Sequence, residues 1–189
     1  MKKEQLRSKY QRMRKQISDT ELETKSLEIA NQLLQLPIWN KEYYHIFLPI
    51  AKHKEIDTSF ILHILQGKDK NVIVPKTNFE TNSLAHFLVT DNTVFKANKW
   101  GIPEPVSGIS IQEKAIQVVF VPLLAYDSEG NRVGYGKGFY DAFLAKCVPN
   151  VIVVGVSLFP PEKRIEDVFE RDFPLHYCVT PSEIFNFTS

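Results

Sequence analysis

The chain has 189 residues, the length of one domain or of one domain with a small appendage. Hydrophobic residues make up 43% and charged residues 24% of it, a composition that excludes a disordered, collagen-like or coiled-coil protein. The net charge of +1 disfavours a general polyanion binder, and we expect no nucleic-acid partner. No run reaches the ~18 apolar residues of a membrane span, and the first residues lack the apolar core of a secretory signal. We therefore expect a cytoplasmic protein without a membrane partner.

Two amphipathic helices are predicted at the start of the chain, over residues 1–36. In the first, four apolar residues recur at helical spacing, while Lys3 and Arg7 share another face. The apolar positions are Leu6, Tyr10, Met13 and Ile17. The surplus of lysine and arginine on this helix is typical of a solvated surface, and anion binding remains the alternative. The second helix begins with a capping box at residues 18–21 and ends before Pro37.

A repeated alternation of strands and helices follows and predicts a parallel sheet. The predicted strands are residues 43–48, 72–74 (ended by Pro75), 84–89, 118–125 and 151–156. The predicted helices are residues 58–66 and 139–147, with loop at 98–110 and largely irregular chain, including one possible short helix, at 159–174. Since helices that alternate with strands pack on the faces of a sheet, we expect one α/β domain over residues 1–189, with residues 1–36 packed on its core.

The most informative segment is residues 121–144, VPLLAYDSEGNRVGYGKGFYDAFL. It joins a buried strand to a helix through a loop with three alternate glycines. These are Gly134, Gly136 and Gly138. The loop follows the carboxyl end of a strand, where open α/β sheets place ligands, and its backbone amides with Arg132 and Lys137 favour a phosphate group. The spacing matches neither a Walker loop nor a dinucleotide fingerprint, so a phosphate loop and a tight strand–helix connection both remain open.

An acid follows this loop closely. Asp141 lies one turn into the predicted helix, where its carboxylate can hold Mg²⁺ against a phosphate or can simply compensate the helix dipole. A second oxygen ligand must come from elsewhere in the chain, and the residues alone leave the choice among four acids. They are Asp57, Asp127, Asp167 and Asp172.

The glycine segment resembles the signature of the 5-formyltetrahydrofolate cyclo-ligase family. The likeness runs from Val121-Pro122 through Asp127 and the three glycines to Asp141. Further matching positions follow in the same order along the chain: residues 3–7, 47–48, Glu55, 100–105, 154–156 and Asp172. The resemblance implies a monomer with a three-layer α/β sandwich and a mainly parallel central sheet, similar to the sugar-phosphate isomerase and CoA-transferase group.

The resemblance also implies a reaction. Family members close 5-formyltetrahydrofolate to 5,10-methenyltetrahydrofolate with ATP as co-substrate and Mg²⁺ as cofactor, and they release ADP and phosphate. The expected partners are therefore these small molecules. A formamide oxygen is a poor leaving group, so ATP phosphorylates it and gives an iminium phosphate that N10 of the folate attacks.

The site residues implied by the resemblance fall into overlapping sets. For ATP they are Lys3, Glu4, Gln5, Leu6, Arg7, Arg132, Val133, Gly134, Tyr135, Gly136, Lys137, Gly138, Phe139 and Tyr140. For the folate they are Leu48, Glu55, Tyr135, Gly136, Lys137, Gly138 and Phe139, with Glu55 paired to the donor edge of the pterin ring. The implied catalytic residues are Arg132 and Lys137, and the implied Mg²⁺ ligands are Asp141 and Asp172.

Three other functions remain possible from the sequence. An enzyme of the same fold could use the phosphate loop for a different formamide or for a thiamine-pathway compound. A non-catalytic folate-binding protein is disfavoured, because such a protein has no use for a triphosphate and Mg²⁺ site. An RNA-binding module that uses the basic first helix is disfavoured by the near-zero net charge and by the lack of an RNP-like aromatic signature.

Overall fold

Five parallel strands form the centre of a seven-stranded sheet in the computed structural model, which describes residues 1–188. The helices are α1 (Lys3–Lys15), α2 (Asp19–Leu33), α3 (Ser59–Gly67) and α4 (Phe139–Leu144). The strands are β1 (Tyr43–His45), β2 (Asn71–Asn78), β3 (Ser83–Leu88), β4 (Phe95–Ala97), β5 (Pro103–Pro105), β6 (Val118–Val121), β7 (Ala125–Tyr126), β8 (Arg132–Val133), β9 (Ile152–Val156), β10 (Tyr177–Val179) and β11 (Ile184–Asn186). Single 3₁₀ turns lie at Ala51–His53 and Glu113–Ala115.

The strand order in the main sheet is β11-β10-β9-β6-β1-β2-β3. Strands β1, β2, β6, β9 and β10 run parallel, whereas β3 and β11 lie antiparallel at the two edges. Two small hairpins, β4-β5 and β7-β8, stand outside this sheet. The prediction of an α/β fold with a mainly parallel central sheet is therefore confirmed.

Side chains of the central strands alternate between two apolar layers. In β6, Val118 and Phe120 pack with α2 and α3 on one face, while Val119 and Val121 pack with α4 on the other. Because successive strand residues point to opposite faces, the fully apolar β6 is buried on both sides. Helix α1 lies apart from these two layers and packs Leu6 against residues that follow β6.

The local signals at the helix ends act as predicted. The Ser18 hydroxyl accepts a hydrogen bond from the Glu21 amide at 3.1 Å and caps α2, which ends before Pro37. Gly67 is the last residue of α3. None of the helices within residues 1–188 is long and apolar enough to span a membrane.

The strand predicted over residues 43–48 ends at His45, and the ends predicted for two other strands are wrong at a proline. The strand predicted over residues 118–125 ends at Val121, because Pro122 has no amide proton to continue the ladder, and residues 125–126 pair with β8 instead. Pro75 does not end its strand but lies inside β2. Strand β1 pairs only with residues 71–73, so the missing amide proton of Pro75 removes no bond to β1.

Several other short elements of the structure differ from the predicted ones. The predicted loop at 98–110 contains β5, and α4 ends at Leu144 rather than at residue 147. Residues 159–174 contain no helix. Strands β10 and β11 are three residues each and were not predicted, since so short a segment carries little periodicity.

Candidate active site

Segments that leave the carboxyl ends of β1, β6 and β9 converge on helix α1. Tyr135 in the segment after β6 reaches Glu55 in the segment after β1, and Arg7 and Lys3 of α1 contact the segments after β6 and β9. This is the edge of a parallel sheet at which α/β proteins bind ligands. The geometry therefore gathers the predicted site residues from distant parts of the chain.

The glycine loop is held against α1 by Arg7. Its Nε donates a hydrogen bond to the Gly134 carbonyl at 2.9 Å. Gly136 has a φ of +91°, and a Cβ there would lie 3.2 Å from Cζ of Arg7. A Cβ at Gly134 or Gly138 would meet no atom within 4 Å. The loop backbone thus faces open space at Gly134 and Gly138, and it faces Arg7 at Gly136.

Arg132 and Asp141 form an ion pair behind this loop. Nη2 of Arg132 donates to Oδ1 of Asp141 at 2.6 Å, and Nη1 donates to the Phe173 carbonyl. The Phe173 amide donates to the same Oδ1 at 3.0 Å. Only 5% of the Arg132 side chain is exposed, against 29% for Asp141. Arg132 therefore joins strand β8, helix α4 and the segment after β9.

A second ion pair joins α1 to the segment after β9. Nζ of Lys3 contacts Oδ2 of Asp172, which also accepts the Phe169 amide at 2.6 Å. Burial acts to raise the pKa of Asp172, but the hydrogen bonds from Lys3 and Phe169 and the charges of Lys3 and Arg132 outweigh it. The pKa of Asp172 therefore lies below its usual value, and the group is ionised at neutral pH.

The two predicted metal ligands are linked through Phe173, since Asp141 accepts a hydrogen bond from the amide of this residue, which follows Asp172 in the chain. Within residues 1–188, Oδ2 of Asp141 and Oδ1 of Asp172 take part in no hydrogen bond. That part of the chain has no group of three or more metal-binding side chains. Mg²⁺ that carries a nucleotide needs only one or two carboxylates, so this donor set fits the ion.

Glu55 lies at the other side of the glycine loop, in a buried network. Its Oε2 accepts the Ile50 amide at 2.6 Å, and its Oε1 accepts the Tyr135 hydroxyl proton at 2.7 Å. That hydroxyl accepts a hydrogen bond from Nη1 of Arg14 at 3.0 Å. Burial raises the pKa of Glu55, and the bonds from Tyr135 and Ile50 and the charge of Arg14 oppose the rise. Glu55 and the glycine loop thus form one continuous site.

The remaining predicted residues occupy several environments, and their roles stay predictions. Exposed residues are Glu4, Gln5 and Lys137; half-buried residues are Leu48, Phe139 and Tyr140; fully buried residues are Leu6 and Val133. The side chains of this buried pair pack in one apolar cluster, so a contact of these two residues with ATP would come from their backbone.

The sequence reasoning missed Arg14, which is 4% exposed and reaches into the site from α1. Its position carried a usable signal. Arg14 lies four residues after Tyr10 and therefore on the apolar face of the helix, where an isolated charge must find a buried partner. Asn82, whose side chain donates to the Lys137 carbonyl at 3.0 Å, carried no comparable signal.

Comparison with known proteins identifies the family. A model of the 5-formyltetrahydrofolate cyclo-ligase family matches residues 1–168. The chain belongs to this family. Among curated cyclo-ligase relatives, the probable 5-formyltetrahydrofolate cyclo-ligase of Schizosaccharomyces pombe is 28% identical, with 97% of each chain covered. The 5-formyltetrahydrofolate cyclo-ligase of Haemophilus influenzae is also 28% identical, over 76% of this chain and 78% of the relative.

Two solved structures of similar proteins share the fold of this chain. The 5,10-methenyltetrahydrofolate synthetase of Aquifex aeolicus superposes with a TM-score of 0.84 at 28% identity, covering 100% of this chain and 94% of that protein. The 5,10-methenyltetrahydrofolate synthetase of Mycoplasma pneumoniae superposes with a TM-score of 0.74 at 18% identity, covering 96% and 99%, and supports the fold alone. The likeness to the sugar-phosphate isomerase and CoA-transferase group remains a prediction.

Proposed function

We propose that this chain closes 5-formyltetrahydrofolate to 5,10-methenyltetrahydrofolate, using ATP and Mg²⁺ and releasing ADP and phosphate. Membership of the cyclo-ligase family supports the folate reaction. The observation that carries the ATP requirement is the contact of Arg7 with Gly134 and Gly136. This contact places the basic face of α1 beside a glycine loop whose backbone is open, and that combination suits a triphosphate.

Four cations lie on the elements that border the proposed triphosphate position. Lys3 and Arg7 come from α1, Arg132 from β8 and Lys137 from the loop itself. Lys137 is exposed and forms no ion pair within residues 1–188, so its charge is available to a phosphate. Arg132 is fixed by its bonds to Asp141 and Phe173. Fixed charges around the transferring γ-phosphoryl group stabilise the transition state.

The reaction follows from the weakness of a formamide as an electrophile. The formyl oxygen attacks the γ-phosphorus of ATP; the new O–P bond forms as the bond to the β-phosphate oxygen breaks, and ADP leaves. The product is an iminium phosphate at N5. N10 then attacks its carbon and loses a proton, and the C–O bond breaks to release phosphate. The residues of the loop hold the two substrates in line for these steps.

Asp141 and Asp172 would hold Mg²⁺ in this proposal. The ion, when bound, neutralises charge on the β- and γ-phosphates. Asp141 is kept in place by Arg132 and by the Phe173 amide, and Asp172 by Lys3 and the Phe169 amide. The two carboxylates are therefore oriented before the nucleotide arrives.

Glu55 would bind the pterin ring of the folate. An ionised carboxylate accepts two hydrogen bonds side by side, and the donor edge of a pterin offers two N–H groups in that arrangement. Tyr135, which bonds to Glu55, belongs to the glycine loop. The folate and the nucleotide would thus meet on opposite sides of one loop.

An isotope experiment tests both the reaction and its intermediate. Folate labelled with ¹⁸O in the formyl group is incubated with the protein, Mg²⁺ and ATP, and the released phosphate is analysed by mass spectrometry. Phosphorylation of the formyl oxygen transfers one labelled atom into each phosphate. Unlabelled phosphate formed together with the methenyl product would exclude the iminium phosphate. ATP cleavage only with another formamide or with a thiamine-pathway compound would favour an enzyme of different specificity.

A further inference from the structure

Arg14 carries a buried positive charge that no carboxylate neutralises directly. The residue is 4% exposed, and within residues 1–188 it forms no ion pair. Its Nη2 donates to the Leu123 carbonyl at 2.6 Å and its Nη1 to the Tyr135 hydroxyl at 3.0 Å, while its Nε has no partner in that part of the chain. Burying a charge in this way is costly unless a counter-charge lies close by.

The counter-charge is Glu55, and the Tyr135 hydroxyl joins the two. A hydroxyl has one proton, and the bond received from Arg14 leaves that proton for Oε1 of Glu55. The His53 ring stacks on Tyr135, with ring centroids 5.2 Å apart and planes 29° apart, and holds its orientation. The order of donation is therefore fixed from Arg14 through Tyr135 to Glu55.

We propose that Arg14 is a positioning residue for the folate site, which acts through Tyr135 to keep Glu55 ionised and oriented toward the pterin ring. This inference rests on the proposed function, because it concerns the residue that would bind the pterin. Arg14 belongs to the same helix as the proposed ATP residues Lys3 and Arg7. The helix would then serve both substrates, the nucleotide at its first turns and the folate near its end.

The surroundings of Glu55 show why such a charge is needed. The groups that face it are Arg14 from α1, the hydroxyl of Tyr135 from the loop, the Ile50 amide and Tyr140 from α4, while His53 lies behind Tyr135. Burial raises the pKa of Glu55, and Arg14 is the one cation among the groups that counteract this within residues 1–188. A protonated Glu55 would present a donor to the donor edge of the pterin and lose the pairing.

The test compares Arg14→Met with Arg12→Met. Arg12 lies on the same helix, is exposed and forms no hydrogen bond through its side chain within residues 1–188, so it is a matched control. We expect Arg14→Met to raise KM for the folate roughly tenfold or more, since a hydrogen bond to a charged group is lost, and to leave KM for ATP unchanged. The acid limb of kcat/KM for the folate should move to higher pH, and Arg14→Lys should restore part of both effects. An unshifted limb with unchanged KM for the folate would overturn the inference.

A readout without turnover separates this inference from the proposed function. The ¹³C resonance of the Glu55 carboxyl is followed against pH in the wild type, Arg14→Met and Tyr135→Phe, with folding checked by circular dichroism. We expect the pKa of Glu55 to rise in both variants and to stay unchanged in Arg12→Met. If Arg14→Met does not fold, Tyr135→Phe, which keeps the ring, carries the test. An unchanged Glu55 titration would overturn the role of Arg14 even if the protein makes the methenyl product.

Discussion

The Arg7 guanidinium lies against Gly136 although residues 8–135 separate the two along the chain, since the loop folds back onto the first helix. A Cβ at Gly136 would lie 3.2 Å from Cζ of Arg7 and 3.3 Å from Nε. The same Nε donates to the Gly134 carbonyl. The basic first helix and the glycine loop therefore form one unit, and the account of ATP binding depends on this unit.

Alanine substitutions at Gly136 and Gly134 separate an effect on the stability of the fold from an effect on ATP binding. Gly136→Ala places a side chain at a φ of +91° against Arg7, and we expect a loss of about 1–3 kcal/mol in the free energy of unfolding together with lost activity. Gly134→Ala meets no protein atom within 4 Å and should change stability by less than about 0.5 kcal/mol. Its KM for ATP should nevertheless rise roughly tenfold, because the methyl group enters the space proposed for the phosphates. Urea unfolding and steady-state kinetics measure both effects; an unchanged KM for ATP in Gly134→Ala would place the nucleotide elsewhere.

Substitution of Lys137 tests whether its positive charge stabilises the transferring phosphoryl group. Its side chain is exposed and unpaired within residues 1–188, so Lys137→Ala should not change the free energy of unfolding. We expect kcat to fall roughly 10²-fold, the order of loss that follows when one group that stabilises transition-state charge is removed. Lys114→Ala is the matched control, because Lys114 is exposed and precedes β6, at the opposite end of the sheet. Equal kcat values for the two variants would contradict a catalytic role for Lys137.

The Mg²⁺ assignment predicts a specific change in metal requirement. Asp172→Asn removes the negative charge of a proposed ligand, and the Mg²⁺ concentration for half-maximal activity should rise at least roughly tenfold. Asp167→Asn is the control. Asp167 accepts the Lys3 amide at 2.7 Å, and an asparagine oxygen can accept the same bond. Titration of activity with MgCl₂ measures the difference, and a parallel response of the two variants would exclude Asp172 as a ligand.

Two buried histidines should make the free energy of unfolding depend on pH. His45 and His86 lie with ring centroids 5.3 Å apart, and no ring nitrogen of either has a hydrogen-bond partner in residues 1–188. Burial lowers the pKa of His86 to about 4, whereas the unfolded chain protonates near the ordinary value of about 6.5. The unfolded state therefore binds more protons in this window, so stability is full above pH 6.5 and falls as the pH drops toward 4.

The size of this effect can be measured with one substitution. From pH 7.5 to pH 5, His86 should account for a loss of about 2 kcal/mol in the free energy of unfolding. His86→Phe keeps an aromatic ring against Phe143 and should remove most of that loss, whereas His63→Gln, at an exposed position on α3, should not. Urea unfolding at the two pH values provides the comparison. A loss in His86→Phe as large as that of the wild type would contradict the assignment.

The sequence predicts the sheet well because its central strands are continuous apolar runs. Residues 118–121 and 152–156 are such runs, and both lie in the middle of the sheet. Strand β10 could not be predicted from periodicity, since it has three residues and depends on pairing with β9. The end of β6 before Pro122 could have been predicted from the sequence, because proline has no amide proton to continue the ladder.

The candidate site likewise has one part that the sequence reveals and another part that only the structure shows. The glycine loop and Asp141 are close in sequence and could be recognised together. The partners of these residues come from afar: Arg132 bonds to the Phe173 carbonyl, and Lys3 to Asp172, across contacts that only the folded chain creates. The structure also shows what Arg132→Ala removes, because the side chain bonds to both Asp141 and the Phe173 carbonyl. Because Arg132 is buried and neutralises Asp141, we expect this variant to lose stability as well as turnover.

The most direct test of the account is the formation of the methenyl product itself. Purified protein is mixed with 5-formyltetrahydrofolate, Mg²⁺ and ATP, and the methenyl chromophore is followed in the near ultraviolet, with a matched sample that lacks ATP. We expect product only with ATP, and one ADP and one phosphate for each methenyl group formed. Absence of the chromophore from a folded protein that binds ATP, or its equal formation without ATP, would contradict the account.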